Sequence, residues 1–535
     1  MLSWIGGFLV LVGAVITFKG QLPVIRAVLA ISAIAWIPLL QYKIGIIYFK
    51  GDAVMASAYL FGFALAIIVG YALARENKEV LYNSIFGYLL VAAMVSTGMV
   101  IYQWLELSNL SPWVINMRPG HEPGGNLSQR NLYGSLVAVS LVGVFYFYSK
   151  KNFGHSVVGF LSLFFVLGLA ICQSRTTWIV FAVSCIWVVT QRGNIKNYRK
   201  ILAVLLALAG FYFLYTLILL PYIADLLLIQ KEQYIRSAEI GNRAVMWTQL
   251  ISAALDSSWF GNGWNQVGVA QTFVAQDFDK STFTFHSHNL FIDLLNWNGL
   301  FLGIVIIGLI LRWAYKQIRY CKTSEQAYVL WAIGCLAVHS MLEFPIEFAF
   351  FLIPLGLLVG SLEQVSGSKE IKFINRKAFS TLSTATAVTL IVLVFNDYQI
   401  AEAENRKMRF ASAGFVGIED MKVEGKTYLL TQLSALHNFA ETEATEDMSA
   451  KELDFMSKVA TRYPYPPSLF RYALALGLNH DYQESQRILA VLQKLHDEDI
   501  YAEAVDNWGI LTDKYPQLAN VKPPSVDTAL LDGEF

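Results

Sequence analysis

The chain has 535 residues, of which 55% are hydrophobic and 15% charged, with 40 basic against 40 acidic side chains. Soluble globular proteins are about one-quarter charged, so most of this chain is excluded from that class, and a net charge of zero gives nothing for nucleic-acid binding. The charge deficit falls in roughly the first 400 residues, where apolar runs of bilayer-crossing length recur.

In chain order, about twelve runs read as transmembrane helices: near 2–18, 22–40, 53–74, 80–103, 132–148, 153–171, 174–190, 201–221, 289–311, 326–341, 344–362 and 378–396. The opening MLSWIGGFLVLVGAVITF lacks a basic start and a small-residue cleavage site, so it reads as a retained span. One set of connections is short and basic: ARENK near 75, SKKN near 150, and the stretches 191–200, 312–322 and 369–377. The other set is longer and much less basic: 41–52, 104–131, 222–288 and everything after 397. The positive-inside rule places the first set in the cytoplasm and the second outside. Parity then puts the N-terminus outside too, unless the first two runs are not both spans or the chain starts one span late.

The four cysteines, Cys172, Cys185, Cys321 and Cys335, lie in or beside apolar runs at spacings that fit neither a zinc site nor a disulfide framework. After 397 the composition turns charged and amphipathic. Apolar residues over 469–495 recur at helical spacing, with a break at Gly477-Leu478-Asn479 and a turn-rich YPYPP at 463–467. Paired helices of this length resemble one or two tetratricopeptide-like units with a loose consensus, and a generic helical bundle without a peptide groove is the bland alternative.

Five polar groups stand at or near membrane level, where polar side chains are costly. GGNLSQRNLYGS at 124–135 carries Gln129, Arg130 and Asn131 at the entrance of a span; a plain Gly/Asn turn is the bland alternative. CQSRTTW at 172–178 carries Arg175, either snorkelling to the interface or a fixed cation. YIRSAEIGNRAVMW at 234–247 carries Arg236 and Arg243 seven residues apart, one face of a helix, with Trp247 one turn beyond Arg243; a solvated face is the alternative. FHSHNLF at 285–291 carries His286 and His288 at the start of a span. If Ser287 or Asn289 caps that helix, His288 sits near its first turn, and the two histidines, two residues apart, point to different sides. No carboxylate or cysteine cluster accompanies them, so metal binding is weakly supported. VHSMLEFPIEF around Pro345 carries His339 and Glu343 four residues apart.

All five groups fall on the expected outer side. Arginines suit phosphate oxygens, and histidine suits general-base work near neutral pH. Transfer of a sugar from a phosphate-linked donor needs both.

The motifs, in this order, resemble the O-antigen ligase/O-antigen polymerase superfamily of bacterial membrane glycosyltransferases. Within it the chain is similar to the PglL-type O-oligosaccharyltransferases that glycosylate pilins and other exported proteins. The resemblance covers roughly 40–400 and rests on Gly125, Gln129 and Asn131, on SRTTW, on RAVMW with GNGW, on HSHNLF and on HSMLEFPIEF. It implies an all-α, GT-C-like polytopic protein of the Gram-negative inner membrane, with residues 1–396 as the transferase, 222–288 as its large periplasmic loop and 397–535 as a periplasmic helical tail. It implies en bloc transfer from undecaprenyl diphosphate to a Ser or Thr hydroxyl of a pilin-like protein, without cofactor, metal or nucleic acid. Carried over, His288 is the base, His286 supports it, and Arg175 and Arg243 hold the diphosphate, with Arg236, Gln129 and Asn131 beside the substrate. His339 and Glu343 match motif positions without an assigned role. Arg130 stands where relatives have proline, a third cation near the glycan or phosphate. NWNG after HSHN, and the lack of proline before FGNG, are further departures. Lipid A-core ligation or chain polymerisation share this chemistry, and a lipid or solute transporter is the reading from another class.

Overall fold

The computed structural model is described over residues 21–527 except 108, 111–112, 118–122, 128, 175, 230–239, 413–422 and 424, together with 7, 11 and 13; the side chains of 240–242, 374, 376, 411 and 412 are also left aside. Of the described residues, 76% are helical and 2% are in strands. Six helices among the described residues are long and apolar enough to cross a membrane: Lys50–Trp104, Arg130–Ser149, His155–Cys172, Tyr198–Leu226, Leu290–Arg319 and Lys377–Phe410. Two shorter apolar helices, Thr176–Thr190 and Ala349–Val365, accompany them. The protein is therefore a helical membrane protein.

Two of the six are interrupted. Lys50–Trp104 leaves helical geometry at Asn77 (φ −157°, ψ 91°), which divides it into the two runs expected at 53–74 and 80–103. Leu290–Arg319 breaks at Gly299 (φ 75°, ψ 168°), a conformation open to glycine. The span expected from 289 is thus a short helix followed by a second one long enough to cross alone. The run at 22–40 is not one span. Leu22–Ile25 is a strand, and Arg26–Ile34 and Ile37–Lys43 are separate helices. The strand pairs antiparallel with Glu370–Ile374, Leu22 opposite Ile374 and Val24 opposite Lys372. Pro38, at the start of the second helix, has no N–H to extend a helix arriving from the first.

The chain forms two compact units. The first comprises Met1–Ile31, Gly62–Ala238 and Ile310–Ser383. Its central helix, Arg130–Ser149, is buried on nearly all faces from Leu132 to Phe147, as a helix apolar all round must be. Gly143 admits the Phe86 ring, Phe145 stacks on Trp331 at 5.7 Å, and the Trp331 indole donates to Ser184 Oγ at 2.8 Å. Gly356 and Gly360, spaced as GxxxG, let Ala349–Val365 cross closely over Phe63, Ala66 and Ile67. A Cβ at Gly360 would overlap the Ile67 carbonyl.

The basic connections meet at one end of this unit. Arg75 donates to Gln21 O (2.7 Å) and Glu370 (3.1 Å). Lys78 and Lys150 share Glu325 at 2.8 and 2.6 Å. Asn194 donates to the Cys321 carbonyl and Lys316 to Ser368. Arg130–Ser149, 20 residues long, starts at the opposite end, about 30 Å away at 1.5 Å per residue. That is one bilayer core.

The second unit comprises Ser32–Phe61, Glu239–Leu309 and Thr384–Phe535. From residue 240 on, the polar stretch expected at 222–288 carries helices Ile240–Leu255 and Val267–Val274. The tail contributes Thr431–Glu441, Ala450–Arg462, Pro466–Leu478, Tyr482–Leu495 and Glu498–Lys514. Ser449 and Glu452 form a capping box, Asp481 caps the next-but-one helix, and Pro466-Pro467 opens the one between. Leu469, Ala473, Leu476, Ile488, Leu492 and Trp508 lie in the shared core.

Candidate functional site

Three of the five sequence groups meet in the first unit, at the end away from the basic connections. Gly125 adopts φ +61°, which only glycine takes freely, so the chain can turn while its N–H donates to Gln103 Oε1 at 2.8 Å. Gln129 occupies the cap position of Arg130–Ser149 without a capping side-chain hydrogen bond, and Arg130 is the first helical residue. Asn131 lies one residue inside. It donates to Glu343 Oε1 at 2.7 Å and accepts from Ser174 Oγ at 2.9 Å. Ser174 hydrogen-bonds Thr176 Oγ1 at 2.9 Å, and Thr176 hydrogen-bonds His339 Nε2 at 2.9 Å. His339 and Glu343 are buried, and the Glu343 amide donates to the His339 carbonyl.

Asn131, Ser174, Thr176, His339 and Glu343 thus form one continuous polar chain. It fastens the residues on either side of Arg175, which itself lies outside the described residues. The sequence indicated this cluster only as separate motifs. Ser174 and Thr176, which join them, carry no weight by themselves in an apolar context. Gly134 faces Ser174 at a distance where a Cβ would crowd its hydroxyl, at 3.1 Å.

The histidine group and, of the 234–247 group, Arg243 and Trp247 lie in the second unit. Asn289 caps the helix beginning at Leu290: its Oδ1 accepts from Phe291 N (3.0 Å) and Ile292 N (3.3 Å). His288 therefore precedes the helix. The expectation of two histidines on opposite sides of a helix fails because 286–289 are not helical. His288 instead adopts φ +55°. A non-glycine side chain in this left-handed region is strained by about 1 kcal/mol or more and persists only when its surroundings impose it.

Those surroundings are explicit. Ser287 N donates to the buried Asp293 carboxylate at 2.9 Å, and Ser287 O accepts from the Trp247 indole at 2.7 Å. Ser287 Oγ donates to Asn289 O and accepts from Asn289 N. Both neighbours of His288 are pinned, and its ring is half-buried at the surface of this turn. His286 is held through its backbone, accepting from Thr284 Oγ1 at 2.6 Å and donating to it at 3.2 Å.

Trp247 also ties this turn to the helix of Arg243, which lies one helical turn before it on the same side. Arg236 lies outside the described residues. Asp293 was the missed residue. Its signal is a lone carboxylate in LFIDLL, four residues after the cap. The GNGW and NWNG motifs interlock: Gly261 and Gly299 approach so closely that a Cβ on either would strike the other's backbone, and Trp264 stacks on Trp297 at 5.0 Å. None of the four cysteines is joined in a disulfide among the described residues.

Residues 159–307 match the family model described as O-Antigen ligase, and residues 327–509 match that described as Virulence factor membrane-bound polymerase, C-terminal. A General O-oligosaccharyltransferase of Acinetobacter baylyi is 26% identical over 508 residues, covering 93% of this chain and 88% of that protein. A ComP-specific O-oligosaccharyltransferase of the same organism is 24% identical over 479 residues, covering 87% and 85%. No solved structure matches the chain. Together with the motifs and the helical membrane architecture, these matches make the chain similar to the O-antigen ligase family of membrane glycosyltransferases and, within it, to the O-oligosaccharyltransferases.

Proposed function

We propose that this protein transfers an oligosaccharide en bloc from undecaprenyl diphosphate to a Ser or Thr hydroxyl of an exported, pilin-like protein. It would work at the periplasmic face of the inner membrane of a Gram-negative bacterium. In this reading about twelve passes carry the transferase, the basic connections face the cytoplasm, and the tetratricopeptide-like tail is periplasmic. Both Acinetobacter relatives are named for O-oligosaccharide transfer, which supports a protein acceptor over lipid A-core or chain polymerisation.

His288 takes the proton from the acceptor hydroxyl as its oxygen bonds to the anomeric carbon. The bond from that carbon to the phosphate oxygen breaks, and the lipid diphosphate leaves with the electron pair. Arg175, Arg243 and Arg236 neutralise the diphosphate as its charge grows. His286 supports the base, and Arg130, Gln129 and Asn131 contact the sugar or phosphate. His339 and Glu343 brace the residues flanking Arg175 through the Asn131–Ser174–Thr176 chain.

The observation carrying this reading is the strained turn at His288. A backbone held at φ +55° between two pinned neighbours fixes the point from which the His288 side chain leaves the turn, and a general base has to be positioned. The test is His288→Ala in membranes supplied with lipid-linked oligosaccharide and acceptor protein, with glycosylated acceptor read by mass. Transfer should disappear, and wild-type turnover would remove His288 from the mechanism.

A further inference from the structure

The segment leading into the histidine turn is built into the core of the C-terminal tail. Ser281 N donates to Lys494 O at 2.9 Å, and Phe283 N donates to Leu495 O at 3.0 Å. Lys280 Nζ meets Glu498 Oε2 at 2.6 Å, and the Glu498 side chain is only 3% exposed. The Phe283 ring lies 4.8 Å from that of Phe285, and these two rings pack on Tyr463, Tyr465 and His496 at 5.9–6.4 Å between centroids. His496 Nε2 donates to the Pro464 carbonyl at 2.7 Å, which holds the YPYPP turn beneath these rings.

From the other side, Gln271 accepts from Thr284 N and donates to Thr282 O. Thr284 then hydrogen-bonds both backbone groups of His286, and Ser287 and His288 follow directly. An unbroken set of contacts runs from the tail through Phe283 and Phe285 to the histidines.

We propose that the C-terminal tail is a positioning element of the transfer site. Lys494, Leu495, Glu498, Tyr463 and Tyr465 fix residues 280–285, and so set where the histidine turn stands. The tail's sequence reads as tetratricopeptide-like units or a generic helical bundle following the last span. The contacts instead make the tail part of the scaffold on which the turn is held. Phe283 and Phe285 touch no substrate in this scheme; they act through the turn.

The proposal rests on the histidine turn being part of the reacting site, and the experiment separates the two ideas. Full-length Phe285→Ala, Phe285→Leu and Glu498→Gln proteins are purified beside the wild type. Steady-state transfer and backbone amide exchange over 284–289 are measured on each. Phe285→Ala should lower kcat about 10- to 100-fold, the range for an ångström-scale displacement of a reacting group. KM for donor and acceptor should hold, and exchange over 284–289 should accelerate. Phe285→Leu, which keeps an apolar side chain on the tyrosines, should restore most of kcat and the slow exchange. Glu498→Gln, remote from the histidines, should shift both readouts in the same direction by several-fold, and it decides the matter alone if Phe285→Ala does not fold.

Accelerated exchange with unchanged kcat would overturn the proposal. So would lost kcat with unchanged exchange. Retained turnover in His288→Ala would instead remove the base assignment, while the exchange and kcat of Phe285→Ala would still decide whether the tail positions the turn.

Discussion

Asp52→Ala tests how the tail is fastened within its unit. Asp52 sits in the first turn of helix Lys50–Trp104. Arg462 grips it with two hydrogen bonds, Nε to Oδ2 at 3.0 Å and Nη2 to Oδ1 at 2.9 Å. The two side chains are 9% and 5% exposed. Removing the carboxylate leaves a guanidinium that cannot give up its proton. Its remaining counterpart is the Tyr463 ring at 4.9 Å, and Nη1 already has no hydrogen-bond partner among the described residues. Loss of one member of a buried ion pair costs about 3–5 kcal/mol. For a unit of this size that lowers Tm by about 6–20 °C. Much of the loss is the cost of stranding the charge and not the worth of the pair. Asp52→Leu combined with Arg462→Met should therefore recover most of it. The assay is thermal unfolding of the full-length protein in detergent by circular dichroism, with protease cleavage near 463–467 as a local readout. A single variant within 2 °C of wild type, with ~2 °C per kcal/mol as the scale, would refute the reasoning. A double variant no better than the single would do the same.

Other consequences follow from the same geometry. His288→Gly should abolish transfer while leaving Tm unchanged or slightly higher, because glycine removes about 1 kcal/mol of left-handed strain; a fall in Tm would show that the ring is structural. Gly360→Leu should cost about 1–3 kcal/mol or prevent folding by forcing Ala349–Val365 off the Ile67 carbonyl, read as loss of monodisperse protein on gel filtration. Acid should loosen the tail in two steps. Burial draws the His496 ring below its usual 6.5, only partly offset by its bond to Pro464 O. The folded state then binds fewer protons, and stability is lost as pH falls below about 6.5. Burial pushes the Glu498 carboxyl up, but hydrogen bonds from Lys280 and the Asp527 amide outweigh it and hold the group below its usual 4.5. Its stabilisation is present above that value and disappears as pH falls further. Tm against pH should show both limbs, and His496→Gln should erase the upper one; a single limb in wild type would contradict the assignment.

Apolar runs declare helices because lipid or a buried core demands them, and the runs at 132–148, 153–171 and 201–221 became helices within a few residues of where they were read. Pairings remote in sequence leave no such trace. Leu22–Ile25 joins Glu370–Ile374, and Asp52 meets Arg462 across 410 residues. Neither partner looks unusual alone: one strand passes for the start of a span, the other for a basic loop. The polar cluster was half legible for the same reason. His339, Glu343 and Asn131 stood out as costly residues near lipid, whereas Ser174 and Thr176, which bind them together, are common in apolar helices.

The histidine turn shows where periodicity misleads. Leu290–Arg319 has the composition of one long span, so a histidine two residues before it reads as the mouth of that span. Gly299 divides it, and the first piece is short. What that piece contributes is its N-terminus: Asn289 satisfies two of its free amides, and Asp293, in its first turn, reaches back to Ser287 N. A carboxylate there costs less than it would inside a true span, since the helix N-terminus favours negative charge. The lone acid in LFIDLL, anomalous in a transmembrane helix, becomes intelligible as the group that keeps His288 in a conformation it would not adopt unaided. Asp293→Ala should therefore release the turn, and transfer should fall by more than the loss of helix content accounts for.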